Sequence, residues 1–382
     1  MQRGNQRNRQ LDLWVGTPLL NLIASFRRRR AQPPSSLQRI GLRIGVVCSP
    51  ALGDTLLFSG PLQDLRSALP QAHIVHLCMK QNLAAAEIIP GADKRVLIDL
   101  TKPLETIRRI RAQKFDLLLD FTSWQRLTAF YTMLSGARFT AGFRTPGQHR
   151  SRGYDRVVDH TAHRHELDNL RALLAESGIL PPIPVPHAPA VVVSAAGLAL
   201  LSGERDLVAF HPWASGQNSW LREWPEDRWI ELAQRLLRPE TLFVVTGAPS
   251  DLLRITPFVE RMRSAGLRAE PFVSPDGFLS LTHLLRRVRL VVSVNTGVMH
   301  LAAIAGAPTV SLNGPTAEHR WGARGRCCAN VQPADGSGGY LHLGFEFKGQ
   351  PKDVIERITV DQVAAAAEAL TAHCGSFVQE VH

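Results

Sequence analysis

The sequence predicts an α/β protein with two doubly wound parallel sheets in tandem, and three observations support this. From about residue 41, short apolar segments of strand length alternate with stretches whose apolar residues recur at helical spacing. A proline-rich segment, residues 181–206, interrupts the alternation. The alternation then resumes and continues to about residue 370. Strand–helix alternation of this kind is typical of parallel sheets covered by helices.

The composition is that of a globular protein. Of 382 residues, 45% are hydrophobic and 20% charged, and this length suits two domains. No apolar run reaches the roughly 18 residues of a membrane-spanning helix, so none is expected. The five cysteines are scattered and odd in number, which favours a reducing compartment over a disulfide framework.

Residues 1–40 form a basic N-terminal arm. They contain eight arginines and one acid, Asp12, and carry most of the chain's net charge of +11. Thr17 and Pro18 are typical of a helix start. Apolar residues at helical spacing and then four consecutive arginines follow: Leu19, Leu22, Ile23, Phe26 and Arg27 to Arg30. The pattern predicts an amphipathic helix whose residues 17–30 lie on the anionic inner face of the cytoplasmic membrane. The alternative is a helix packed on the body, with a solvated basic tail. Nucleic-acid binding is not expected, because the body shows no basic or aromatic stripe.

The first domain is expected to span residues 41–180. Its predicted strands are Ile44–Cys48, Ile74–Cys78, Val96–Ile98 and Phe115–Leu119. Its predicted helices lie near residues 54–69, 81–88, 103–113, 123–135 and 163–177.

The second domain is expected to span residues 207–370, with residues 371–382 as a C-terminal tail. Its predicted strands are Leu207–Phe210, Leu242–Thr246, Leu290–Val294 and Thr309–Leu312, with helices near 226–238, 250–265, 278–287 and 297–305. Open parallel sheets bind ligands at the carboxyl ends of their strands, so the expected ligand site is a cleft between the two domains.

The first predicted strand runs into a loop that ends at Asp54. The loop lacks the glycine spacing of a dinucleotide fingerprint and the Gly-Lys pair of a phosphate loop. Asp54 lies where the next helix begins, at the mouth of the expected cleft. It is a candidate N-cap and a candidate catalytic carboxylate, and the two roles are compatible.

Two segments of the second domain are candidates for binding an anion. The strand at 290–294 turns directly into a helix, which presents backbone N–H groups and a positive helix terminus to a phosphate. The candidates there are Asn295, Thr296, Gly297, Met299 and His300, although His300 would also suit a structural role and Gly297 could serve helix packing. The strand ending at Phe210 leads to the small-residue turn Ser215-Gly216 and then to Arg222. Arg222 could pair with a phosphate or be an ordinary surface arginine.

The first domain also carries a basic loop with Arg144, Arg150 and Arg152. These side chains would suit an acceptor bearing phosphates or acidic sugars, and a merely solvated loop is the alternative. No metal site is expected from the histidines and acids at 160–168, and Cys327 and Cys328 are too close in sequence for a zinc pair. No other cofactor is expected.

In this order, the segments resemble glycosyltransferase family 9, the heptosyltransferases of lipopolysaccharide core assembly. The similarity extends over roughly residues 41–370 and is carried by four segments: Leu52-Gly53-Asp54, His211 to Gly216 with Arg222 to Pro225, Asn295 to Ala303, and Gly314 to Thr316.

The resemblance implies a GT-B fold, in which a Rossmann-like acceptor domain and a Rossmann-like donor domain face each other across a cleft. It also implies metal-independent, inverting transfer from a nucleotide-activated sugar, typically ADP-heptose, to an anionic glycolipid. Asp54 falls on the family's general base, and Arg222 falls where a basic residue holds the donor phosphate. Asn295 departs from the family, which usually has aspartate there in contact with the donor sugar. A sugar-nucleotide epimerase or hydrolase and a catalytically silent sugar-nucleotide or membrane-binding protein remain alternatives.

Overall fold

The computed structural model describes residues 10, 12–26, 41–180, 206–216, 218–342 and 349–374. They separate into two compact units, one within residues 4–190 and one within residues 191–382. Each unit contains a six-stranded parallel sheet with helices between its strands. The predicted fold class, two doubly wound α/β domains, is thereby confirmed. The domain boundaries remain a prediction, because the proline-rich linker lies outside the described residues.

The first sheet consists of β1 (Arg43–Val47), β2 (His73–Cys78), β3 (Lys94–Leu97), β4 (Leu117–Asp120), β5 (Phe139–Arg144) and β6 (Arg156–Asp159). Their order is β3-β2-β1-β4-β5-β6, and Val47 of β1 pairs with Asp120 of β4. The chain builds outward from β1 in one direction and then from β4 in the other. The switch point of the topology is therefore between β1 and β4, and the loops after these strands diverge there.

The helices of the first unit are α1 (Thr17–Phe26), α2 (Leu52–Ala68), α3 (Leu83–Ile88), α4 (Pro103–Arg111), α5 (Arg126–Leu134) and α6 (Glu166–Glu176). A 3-10 turn, Arg150–Gly153, precedes β6.

Strands β5 and β6 were not predicted. Gly142 interrupts the apolar pattern of β5, and its backbone lies so close to Tyr154 that an added Cβ would come within 2.3 Å of the tyrosine ring. The glycine therefore makes room for a fully buried aromatic side chain. Strand β6 is a four-residue edge strand with a charged residue at each end, which leaves little periodicity to detect.

The described part of the arm packs on the first unit. Helix α1 and the preceding turn, Asp12–Gly16, contact α5, and Leu20 is fully buried in the core. Leu13, Trp14 and Val15 of the turn and Leu22 of the helix are exposed. Of the two alternatives for the arm, packing on the body therefore holds for residues 12–26. The side chains of Leu19, Ile23 and Phe26, and all of Arg27 to Arg30, lie outside the described residues.

None of the described helices is both long and apolar enough to cross a membrane.

The second sheet consists of β7 (Asp206–His211), β8 (Thr241–Gly247), β9 (Ala269–Val273), β10 (Leu290–Val294), β11 (Thr309–Leu312) and β12 (Cys328–Val331). Their order, β12-β11-β10-β7-β8-β9, repeats that of the first sheet, with the switch point between β7 and β10. The helices are α7 (Glu226–Leu236), α8 (Leu252–Ser264), α9 (Phe278–Arg287), α10 (Gly297–Ala305), α11 (Glu318–Trp321) and α12 (Val360–Cys374).

The cysteine prediction needs a correction. Cys327, just before β12, forms a disulfide with Cys374 at the end of α12, with their Cα atoms 6.2 Å apart. The pair was not apparent from the sequence, because 47 residues separate the two cysteines and the fold alone brings them together. The odd count therefore does not exclude a disulfide in this chain.

Candidate functional site

Asp54 lies in the first turn of α2, directly after the loop that leaves β1. The N-cap of this helix is Ala51, and no side chain caps it. The interpretation of Asp54 as the cap is therefore wrong, although an acid in the first turn still suits the helix dipole. Its position at the carboxyl end of β1, at the switch point of the sheet, is where doubly wound folds bind ligands.

Buried polar side chains fix the loop before Asp54. The Thr55 hydroxyl lies 3.1 Å from the carbonyl oxygens of Ser49 and Ala51, and Asn82 Nδ2 donates to the Ser49 carbonyl at 3.3 Å. Cys48 lies beneath them, with its Sγ 3.3 Å from His76 Nε2. Burial raises the pKa of the Cys48 thiol and lowers the pKa of His76 to about 3. The pair is thus neutral near pH 7, which suits loop support and not nucleophilic catalysis.

A buried ion pair holds the end of β4, next to the Asp54 loop in the topology. Arg150 Nη2 donates to Asp120 Oδ2 at 2.8 Å, and both side chains are fully buried. The same nitrogen donates to the Thr122 hydroxyl at 2.7 Å, and the Tyr154 hydroxyl donates to Asp120 Oδ2 at 2.7 Å. Burial raises the pKa of Tyr154 well above its usual value, so its hydroxyl remains a donor.

This network overturns the acceptor role expected of Arg150, because a fully buried guanidinium cannot meet an acceptor. Arg144 lies at the surface, where its Nε and Nη2 donate to the two carboxylate oxygens of Asp159 at 2.5 and 2.7 Å. Arg152 donates from Nη1 to Asn21 Oδ1 of α1 at 2.8 Å.

In the second unit, the predicted strand–turn–helix is present at β10 and α10. Thr296 is the N-cap of α10, its hydroxyl lies 3.4 Å from the Met299 N–H, and Gly297 is the first helical residue. The Met299 side chain is fully buried against Ala303 and Ala323, so only its backbone could contribute to a ligand site. The His300 side chain is also buried, with 4% of its surface exposed, which departs from the expected reach toward a ligand.

Arg222 joins the two candidate segments. It ends a 3-10 turn, Ser219–Arg222, and donates from Nη2 to the carbonyl oxygen of Ser215 at 2.7 Å and from Nη1 to that of Asn295 at 3.3 Å. Gly216 has a φ of +95°, a conformation that favours glycine and turns the chain away from β7. The structure thus brings Ser215, Arg222 and Asn295 together at the switch point of the second sheet.

The side-chain amide nitrogen of Asn295 donates hydrogen bonds to two other residues of the protein. Its Nδ2 donates to Asn313 Oδ1 at 2.7 Å and to the Trp321 carbonyl oxygen at 2.8 Å. Asn313 Nδ2 in turn donates to Asn330 Oδ1 at 3.2 Å. We call these three residues, Asn295, Asn313 and Asn330, the amide ladder, because they connect the neighbouring strands β10, β11 and β12. Both acceptors of the Asn295 amide are oxygens, so an aspartate at this position would place a carboxylate against them.

The sequence did not single out Asn313 and Asn330 as partners of Asn295. The available signal was that Asn295 and Asn313 each follow a buried parallel strand directly.

His211 closes the other side of this switch point, at the end of β7. Its Nδ1 lies 3.0 Å from the Thr246 carbonyl oxygen, which can only accept, so Nδ1 carries the proton. Burial lowers the pKa of His211 to about 4, so the ring is neutral near pH 7. His211 therefore fixes the loop between β7 and Ser215 without adding charge.

This arrangement can bind an anion. The N-terminus of α10 and the guanidinium of Arg222 are both positive and adjoin the same strand ends. Among the described residues, no group of three His, Cys, Asp or Glu side chains is arranged to hold a metal ion.

Comparison with known proteins gives one family. Residues 104–333 match the model of glycosyltransferase family 9 (heptosyltransferase). The chain is 25% identical over 334 residues to lipopolysaccharide heptosyltransferase 1 of Pseudomonas aeruginosa, which covers 81% of this chain and 86% of the relative.

Solved structures of other proteins share the fold, and two illustrate the similarity. The glycosyl transferase family 9 protein of Veillonella parvula is 21% identical, with a TM-score of 0.73 over 87% of this chain and 98% of that one. The E. coli heptosyltransferase WaaC, solved with ADP-2-deoxy-2-fluoro heptose, is 19% identical, with a TM-score of 0.65 over 86% of this chain and 99% of that one.

Proposed function

Because the chain belongs to glycosyltransferase family 9, the heptosyltransferases, and is thus a glycosyltransferase, we propose that it transfers a heptose from ADP-heptose to a lipopolysaccharide core acceptor. The observation that carries the proposal is the position of Arg222, which bonds to both Ser215 and Asn295 at one switch point. The curated relative acts on lipopolysaccharide by name, and one solved relative holds an ADP-heptose analogue.

The donor diphosphate would bind where Arg222 and the N-terminus of α10 meet. Ser215, Gly216, Thr296 and Gly297 would line this site with backbone and hydroxyl groups. A departing diphosphate needs positive charge in the transition state, and a fixed guanidinium with a helix terminus supplies it. In this proposal the protein's own groups take the place of a divalent cation.

Asp54 would be the general base. An inverting displacement needs a carboxylate that takes the proton of the acceptor hydroxyl as that oxygen attacks the anomeric carbon. Asp54 is only partly buried and follows a loop held by Thr55 and Asn82, so it combines access with a fixed position.

The acceptor would be an anionic glycolipid, with Arg144 and Arg152 as the remaining cationic candidates. We also propose that the enzyme works at the inner face of the cytoplasmic membrane, with the arm over residues 17–30 as its membrane contact. The exposed Trp14 and Leu22, close in sequence to the four arginines at 27–30, support this location.

Asn295 bears on the choice of donor sugar. With its amide nitrogen engaged by two protein oxygens, this residue offers a sugar hydroxyl the neutral Oδ1 and no negative charge. Heptose therefore remains the proposed sugar on the strength of the relatives, and the assay below includes other ADP-sugars.

The test incubates the full-length protein with ADP-heptose and, in parallel, with other ADP-sugars, each with and without a deacylated core acceptor. We expect ADP release that depends on the acceptor. Donor consumption without acceptor would instead indicate an epimerase or hydrolase, and no reaction with any ADP-sugar would indicate a silent binding protein.

Asp54→Asn should then lower transfer by about 10²–10⁴ while the melting temperature and donor affinity stay near wild type. Asp168→Asn is the matched control, because Asp168 occupies the first turn of α6 as Asp54 does that of α2. Retention of more than about a tenth of wild-type turnover by Asp54→Asn would remove this carboxylate from the mechanism.

A further inference from the structure

The N-terminal arm supplies a missing cap to a helix of the body. Asp12 Oδ1 accepts the backbone N–H groups of Arg126 and Leu127 at 2.9 and 3.0 Å. These residues form the first turn of α5, whose own N-cap, Gln125, makes no side-chain capping bond. The single acid among residues 1–40 thus satisfies backbone donors that α5 leaves open.

The carboxylate of Asp12 also forms an ion pair. Asp12 Oδ2 lies 3.2 Å from Arg126 Nη1, and both side chains are largely buried. A buried carboxylate with two backbone donors and a guanidinium has little freedom to move. The contact therefore fixes the arm to the start of α5.

From this point the same contacts reach the basic loop, residues 144–152. Arg126 Nη2 donates to the carbonyl oxygen of Gly147 at 3.2 Å, in the middle of the loop. At its far end, Arg152 donates to Asn21 Oδ1 of the arm at 2.8 Å. The arm thus holds the loop directly at Arg152 and, through Arg126, at Gly147.

We propose that Asp12 is a positioning residue for acceptor binding, acting through Arg126 to hold the 144–152 loop in place. The proposal rests on the proposed function, in which this loop meets an anionic acceptor. The arm then serves the reaction through its inner face, independently of any contact its outer face makes with lipid. Without Asp12, the loop loses its support at Gly147, and Arg144 and Arg152 are presented over a wider range of positions.

Hydrogen exchange tests whether Asp12 holds the 144–152 loop in place, and it does not require enzymatic activity. In full-length Asp12→Ala, amides of residues 144–152 and of the first turn of α5 should exchange about five- to thirty-fold faster, the usual contribution of a cap expressed as an equilibrium ratio. Exchange in the second unit should be unchanged. Unchanged exchange in the 144–152 loop would overturn the proposal.

Enzyme kinetics test whether the position of the loop affects acceptor binding. Asp12→Ala should raise the KM for the core acceptor by a similar factor and leave the KM for ADP-heptose and kcat within about twofold. Asp12→Asn retains an oxygen that can cap the helix and should recover part of this loss; it also serves if Asp12→Ala folds poorly. Equal changes in both KM values, or none, would contradict the proposal.

The matched control is Asp276→Ala, which removes an aspartate that accepts the Ser280 N–H at 2.8 Å in the first turn of α9. It should lower the melting temperature without changing the acceptor KM, which separates positioning from general destabilisation. If the wild-type protein transfers no sugar, the proposed function fails. The exchange measurement still decides whether Asp12 holds the 144–152 loop in place.

Discussion

The two sheets share one strand order, yet their equivalent strands β4 and β10 are held at their carboxyl ends by opposite chemistry. In the first unit, the end of β4 is fixed by the fully buried ion pair Asp120–Arg150. In the second, the end of β10 is fixed by the neutral amide ladder that begins at Asn295. At these two strand ends the same architecture thus uses a buried ion pair in one unit and neutral amides in the other.

The difference shows how a strand end can be held rigidly without weakening the binding of a diphosphate. A buried carboxylate beside β10 would weaken the positive field that Arg222 and the N-terminus of α10 create. Neutral amides fix the same backbone at no electrostatic cost to the ligand. In the first unit no diphosphate is proposed to bind, and a buried ion pair is compatible with that unit's role.

The largest effect is expected from breaking the charged support. Arg150→Ala leaves the Asp120 carboxylate buried and unpaired, and should lower the free energy of unfolding by about 3–5 kcal/mol. Urea denaturation measures the change. The matched control is Arg144→Ala, which removes a surface partner of Asp159 and should change stability little. Equal losses of unfolding free energy in the two variants would mean that the buried ion pair stabilises the fold no more than the surface pair does.

Next in size is the loss of the phosphate-binding cation proposed for the second unit. Arg222→Ala should weaken ADP binding by about 1.5–3 kcal/mol, or roughly ten- to 150-fold, because a charge-assisted contact to phosphate is lost. Adenosine binding should change much less. Calorimetry with both ligands makes the comparison, and an equal loss for the two would assign Arg222 to loop support alone.

Converting the neutral support into a charged one should cost about 1–3 kcal/mol of stability at pH 7.5. Asn295→Asp places a carboxylate against the Asn313 and Trp321 oxygens that now accept from the amide. Protonation would restore one donor, so the pKa of the introduced carboxyl group should be raised, and the deficit should shrink as the pH falls. Thermal melts at pH 7.5 and 5 test this; an undiminished melting temperature at pH 7.5 would show that the ladder tolerates charge.

The smallest effect is a shared pH dependence, since burial keeps His76 of the first unit and His211 of the second neutral near pH 7. The folded-state pKa is about 3 for His76 and about 4 for His211, below an unfolded value of about 6.5. The unfolded state therefore binds more protons below pH 6.5, and stability falls as the pH drops from 6.5 toward 4. Each histidine should cost about 1 kcal/mol at pH 5.5. His76→Gln and His211→Gln should each flatten the profile, and a flat wild-type profile would rule out both shifts.

Much of the fold could be predicted because continuous apolar runs mark buried parallel strands. The predicted segments at Leu290–Val294 and Thr309–Leu312 coincide with β10 and β11. Strand β9 was missed because its sequence contains Glu270 and Pro271, which an edge strand tolerates but which interrupt the apolar pattern.

The positions of two candidate residues were predictable from the strands before them: Asn295 follows β10 directly, and Asp54 lies in the first turn of the helix after β1. Side chains that act over long sequence distances were not. Arg150 was predicted to bind the acceptor or to lie in a solvated loop, because nothing in the loop's own sequence indicates that it pairs in the core with Asp120, 30 residues earlier. For Asp12 the separation is 114 residues, and the local pattern of the arm suggested only a helix with a basic end.

The capping of α5 by Asp12 also constrains the order of events during synthesis. At about 5–20 residues per second, Asp12 leaves the ribosome roughly 6–23 s before Arg126 becomes available to it. During this interval Leu20 has no core to enter, and the nascent arm carries its apolar side chains in the open. The N-terminal segment, although made first, is therefore expected to be among the last parts of the first unit to reach its native position.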